Sequence, residues 1–166
     1  MTDKRSHDIE IVLGSERFKF STEAELRIDR DDLDTALAHQ ASMFAFFAVL
    51  HTRAVGERRQ LEAELEELEY RLTLDKPAQL EKKGAKTTVD AVKAAVRTDD
   101  GYLDAASQVR AALQNESLAA VFKDAFWQRK DTLVTLARNR IREEGSPSAV
   151  EVEVEKFKKS YFGKGQ

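Results

Sequence analysis

Three histidines, His7, His39 and His51, are the only imidazoles in the chain, and cysteine is absent. Metal ligation or nucleophilic catalysis needs such groups to converge. His39 and His51 fall in a stretch that reads as helix, about 18 Å apart along its axis, too far to share one ion. Without cysteine there is no thiolate site and no disulfide framework. Asp29-Arg30-Asp31-Asp32-Leu33-Asp34 has the alternating acids of a calcium loop, but no glycine marks the turn and no glutamate closes it. Acids capping and charging a helix N-terminus account for the run instead. Glu66-Glu67 and Glu143-Glu144 sit in solvated charge runs. No phosphate-cradling glycine loop, nucleophile elbow or zinc spacing occurs. The expectation is a protein that is not an enzyme and carries no cofactor and no metal.

The basic side chains offer a different chemistry. Residues 1–75 carry 10 basic and 17 acidic side chains, a balance of −7. Residues 76–166 carry 17 basic and 13 acidic ones, a balance of +4. Lys76, Lys82, Lys83 and Lys86 crowd a connector, Lys93 and Arg97 follow it, and Arg71 with Tyr70 precedes it. Arg129, Lys130, Arg138, Arg140 and Arg142 lie near the end of the last long helix, and Lys156, Lys158, Lys159 and Lys164 lie in the tail. Cations follow phosphates and rings stack on bases, which suits single-stranded nucleic acid. Two readings compete with this one. Cations at a helix C-terminus also complement the dipole, and Trp127, beside Phe122 and Phe126, also suits packing.

The elements that must position these residues are mainly α. Ile9, Ile11 and Leu13 alternate with polar residues, as do Phe18 and Phe20, and Gly14-Ser15 lies between: a β-hairpin that must lean on something larger. A helix is expected over about 31–74, with a kink near Gln40-Ala41-Ser42. Its apolar seam is Phe47, Leu50, Ala54, Leu61, Leu65, Leu68 and Leu72. Pro77 and Gly84 make 75–86 a loop, with helix at most around 78–82. Thr87 or Thr88 caps a short helix holding Val89, Val92 and Val96, and Asp99-Asp100-Gly101 ends it and caps the next. The second long helix is expected over about 100–143, with a stutter at Gln114–Ser117.

Similar helix lengths and a moderate connector predict a long antiparallel helical hairpin. Two periods compete in the tail: Val150, Val152 and Val154 alternate with Glu151, Glu153 and Glu155 like a strand, while Val150, Val154, Phe157 and Tyr161 also fit a helical stripe; the favoured reading is a strand entering a short helix or coil. The layout is thus a hairpin segment over 1–28, a helical-hairpin core over 29–144, and a linker and tail over 145–166. Two helices leave apolar seam uncovered, so a homo-oligomer is expected. The N-terminus leads into no apolar signal core, and no stretch reads as a membrane span. These features predict a cytoplasmic protein without a membrane partner.

The order of parts resembles the phage UvsY-like recombination, repair and single-stranded-DNA-binding proteins over roughly residues 26–143. The resemblance rests on the Asp-rich cap with Leu33 and Leu37, the run Met43-Phe44-Ala45-Phe46-Phe47, and a charged helix ending in Tyr70-Arg71-Leu72. It continues through Lys86-Thr87-Thr88-Val89, Val92, Val96, Asp99 and Tyr102 to Ala125-Phe126-Trp127-Gln128-Arg129-Lys130-Asp131-Thr132-Leu133. It implies a recombination mediator and ring-like homo-oligomer. Its partners would be single-stranded DNA, a single-stranded-DNA-binding protein and a RecA-like recombinase, with host cytoplasm as the location if phage-encoded. The alternative is a purely structural helical oligomer, such as an assembly or scaffolding component, without DNA binding.

Overall fold

A computed structural model describes residues 8–144 of the chain. The order is β1 (Asp8–Leu13), β2 (Glu16–Ser21), α1 (Thr22–Leu26), α2 (Leu33–Lys82), α3 (Val89–Arg97) and α4 (Asp100–Glu144). The protein is mainly helical, with one small antiparallel sheet of two strands. The strand expected in the tail, at Val150–Val154, lies outside the described residues.

The hairpin forms as its alternation predicts. Ile11 faces Phe18 and Ile9 faces Phe20 across the register, and Gly14 takes the positive φ of 57° that the tight turn requires. Its apolar face does not stand alone. Ile11 and Leu13 enter one core with Phe47, Leu50, Ala54, Ala119, Phe122 and Phe126. The rings of Phe47 and Phe122 stack at 4.9 Å, and Phe20 lies 5.0 Å from Phe47. Polar clamps hold the hairpin's other edge. Asn115 donates to Val12 O (2.7 Å) and accepts from Val12 N (3.3 Å), and Glu57 accepts from Gly14 N at 3.0 Å. The expected stutter at Gln114–Ser117 is therefore a place of work: the helix runs on unbroken, Asn115 grips β1, and Glu116 pairs with Arg58 of α2.

α2 and α4 run antiparallel. Gln40 of α2 donates to Phe126 O at 2.6 Å, Arg58 meets Glu116, and near the other end Lys76 meets Asp99. Asp32 caps α2 by accepting from Thr35 N at 3.2 Å, which is the capping role expected of the acidic run. Among the described residues no three His, Asp or Glu side chains gather as a metal site.

Three expectations are corrected. First, α2 does not stop near residue 74 but continues to Lys82 with Pro77 inside it. Proline removes one backbone donor and crowds the carbonyl four residues back. Here α3 packs against this turn and offsets that loss: Val92 and Val96 are buried, and Asp99 binds Lys76. At Gln40-Ala41-Ser42, where a kink is expected, α2 is helical throughout. Second, the seam is buried only as far as Ala54. Leu61, Leu65, Leu68 and Leu72 are half-buried, because the hairpin cover ends at Glu57. Third, α2 is long and apolar enough, by length and composition alone, to cross a membrane: its 18-residue window has mean hydropathy 1.3. Thr35 to Thr52 contains no Asp, Glu, Lys or Arg. Phe47 and Leu50 of α2 supply the core, yet only 22% of its apolar 18-residue window is buried.

Candidate nucleic-acid interface

The tip of the molecule is built by a helix stop. Gly84, at φ +68°, follows Lys83 at the end of α2. Gly84 N donates to Glu81 O and Ala85 N to Leu80 O, both at 2.9 Å. These paired bonds close the last turn and need a left-handed residue between them, which glycine supplies. The chain then reverses, and Thr88 caps α3 by accepting from Ala91 N at 3.3 Å. Val92 and Val96 bury one face of α3. Lys93 and Arg97, one turn apart, are therefore left on its wet side.

This arrangement gathers Lys82, Lys83, Lys86, Lys93 and Arg97 in one exposed region. Among the described residues none of the five has a carboxylate partner. From residue 81 to 97 the only acids are Glu81 and Asp90, against five cations. The α2 shaft beneath has the opposite sign: Glu62, Glu64, Glu66, Glu67 and Glu69 are exposed within two turns. The positive field is thus confined to the tip and falls off over about 8–10 Å at ordinary salt. Arg71 shares a helix face with Lys82, eleven residues on, but stands about 16 Å back along α2. It faces Glu67 at 3.9 Å, an exposed and weak contact. Tyr70 beside it is 65% exposed.

Lys76 stands apart from the other cations expected to meet phosphates. Its Nζ lies 2.6 Å from Asp99 Oδ2, and its side chain is only 14% exposed. The pairing holds the Asp99 carboxyl below its ordinary value, chiefly through the Lys76 hydrogen bond. Lys76 fastens α3 and the start of α4 to α2, a structural task. Nothing local in the sequence announces this, because the partners are 23 residues apart. Arg97, conversely, belongs with Lys93, and their spacing of four on a capped helix is the signal for it. Lys156, Lys158 and Lys159 lie outside the described residues.

The cations of α4 divide. Arg129 is structural: it donates to Gln40 Oε1 at 2.7 Å and Arg27 O at 3.1 Å, and burial lowers its affinity for its proton. Trp127 is 53% exposed, tilted on Phe44 at 5.7 Å with Lys130 over its ring at 4.2 Å. It shares packing and surface roles. Arg138, Arg140 and Arg142 lie at the far end of α4, about 60 Å from the tip. Among the described residues the cations of the basic half are therefore spread along the molecule, with one cluster at the tip and another at the far end of α4.

No family model, curated protein or solved structure matches the chain.

Proposed function

We propose that the protein binds single-stranded DNA without sequence preference and acts as a recombination mediator of the UvsY-like kind. In this reading it helps load a RecA-like recombinase onto strands coated by a single-stranded-DNA-binding protein, and it works as a homo-oligomer. One observation carries the reading: Lys82, Lys83, Lys86, Lys93 and Arg97 form an exposed cluster at the tip, without a carboxylate partner among the described residues and set apart from an acidic shaft. Such a patch gives phosphates a footing and carries no base-reading geometry. Tyr70 and Arg71 extend it with a ring and a cation. A few phosphate contacts per copy are weak and salt-sensitive. Several copies in one assembly bind by avidity, while each contact stays weak enough for hand-over.

The half-buried seam from Leu61 to Leu72, with Leu74 and Leu103 exposed, favours a second reading: a helical oligomer whose role is structural. Titration of a fluorescent single-stranded oligonucleotide at low and moderate salt separates the two. The mediator reading expects binding at low salt that weakens as salt rises. It also expects Lys156→Ala/Lys158→Ala/Lys159→Ala, which leaves residues 150–155 in place, to retain most of that binding. Absence of binding by the parent at low salt supports the structural reading. Loss of binding in that variant moves the site to Lys156, Lys158 and Lys159.

A further inference from the structure

The β1 edge of the two-stranded sheet lies along α4, whereas the β2 edge faces neither long helix. The two-residue turn at Gly14-Ser15 makes Leu13 and Glu16 a hydrogen-bonded pair, so the outward backbone groups belong to Asp8, Glu10 and Val12 on β1 and to Arg17, Lys19 and Ser21 on β2. Asn115 takes both groups of Val12. Among the described residues nothing takes those of Arg17 and Lys19. An unpaired edge is a template for another strand. Beside it lies apolar surface: Phe46 of α2, 41% exposed, meets Phe18 at 6.4 Å and Phe20 at 6.1 Å, and Val49 is 60% exposed. A strand that fits would place apolar residues over Phe46 and Phe18, and acids opposite Arg17 and Lys19.

We propose that this edge receives the segment Val150–Glu155 of a second copy of the chain. Val150, Val152 and Val154 would cover the Phe18, Phe20 and Phe46 side, and Glu151 and Glu153 would face Arg17 and Lys19. The complementarity is in both hydrophobic alternation and charge, with a period of two on each side. Within one chain the segment could approach this edge only with the intervening residues near full stretch: Phe122, 5.3 Å from Phe20, lies about 33 Å along α4 from Glu144, against about 29 Å for the eight residues from Glu144 to Val152 fully extended. A neighbour's tail has no such limit. A contact between the tail of one copy and the edge of the next is heterologous, so it closes into a ring if the rotation permits. This inference does not depend on DNA binding.

The absence of native cysteine makes the test clean. Full-length Lys19→Cys and Glu153→Cys proteins are mixed without nucleic acid and mildly oxidised. A covalent dimer should form at several times the yield of a control mixture of Lys19→Cys with Val121→Cys. A yield equal to the control overturns the proposal. So does a Lys19→Cys/Glu153→Cys double variant that closes only within one chain. As a second readout, Arg17→Glu/Lys19→Glu should lower the mass seen by light scattering. Adding Glu151→Lys/Glu153→Lys protein should restore it, and unchanged mass with no restoration counts against the docking.

Discussion

Asn115 takes the place of a missing third strand at β1, meeting both free backbone groups of Val12 with one side-chain amide. Replacing it by Ala leaves a partly buried donor and acceptor unmet, which costs about 1–3 kcal/mol. The expected result is a lower urea midpoint and faster amide exchange in 8–21; unchanged exchange there would show that apolar packing alone seats the hairpin. Asp99 offers a pH-dependent counterpart. Its carboxyl titrates below its ordinary 3.8 because Lys76 favours the charged form. That stabilisation is fully present above the ordinary value and is lost as pH falls through the lower folded value. Thermal melts of the parent should therefore steepen in their acid dependence below about pH 4, and Asp99→Asn should remove that part of the slope. Neither pairing was legible in the sequence. Asn115 sits in a run that reads as a helix irregularity, and Lys76 reads as one more exposed lysine. Long-range partners leave no local pattern.

At the scale of elements, α2 shows what pattern does reveal. The seam at steps of three, four and seven marked the helix, and Asp32, Thr88 and the Asp99–Gly101 run marked the ends correctly. The alternation over β1 and β2 gave the hairpin and its inward face. The miss was the stop: Pro77 looked like an end and was overridden by α3 packing on the last turns of α2. Gly84 is the actual terminator. The two glycines near α2 make opposite predictions. Gly84→Ala forces a side chain into a left-handed conformation and should destabilise by about 1–2 kcal/mol. Gly56 lies mid-helix with open space where a Cβ would go, so Gly56→Ala should stabilise by roughly 0.5–1 kcal/mol. Thermal melting of both variants checks the pair, and a shift of the same sign in both would contradict the assignment of the helix end.

For the whole molecule, charge is arranged by antiparallel packing. The connector and α3 bring five cations to one end, the shaft holds the acids, and the arginines ending α4 lie at the opposite end. The sequence showed a basic second half; only the fold divides it, because a helix of 45 residues carries its two ends far apart. The core is similarly concentrated, where the hairpin crosses Phe47, Phe122 and Phe126, and the seam beyond Glu57 is left half-covered. The central claim is that the tip cations hold phosphates. It is tested most directly by a single-stranded oligonucleotide titration across a salt series, comparing the parent with Lys82→Ala/Lys83→Ala/Lys86→Ala. These side chains are exposed, so the fold should stand. Each lost phosphate contact should reduce the slope of log affinity against log salt by about 0.7, hence by about 2 for three. A variant that is weaker at low salt with a slope shallower by that amount is the predicted result. A variant that binds with the affinity and slope of the parent would contradict the account.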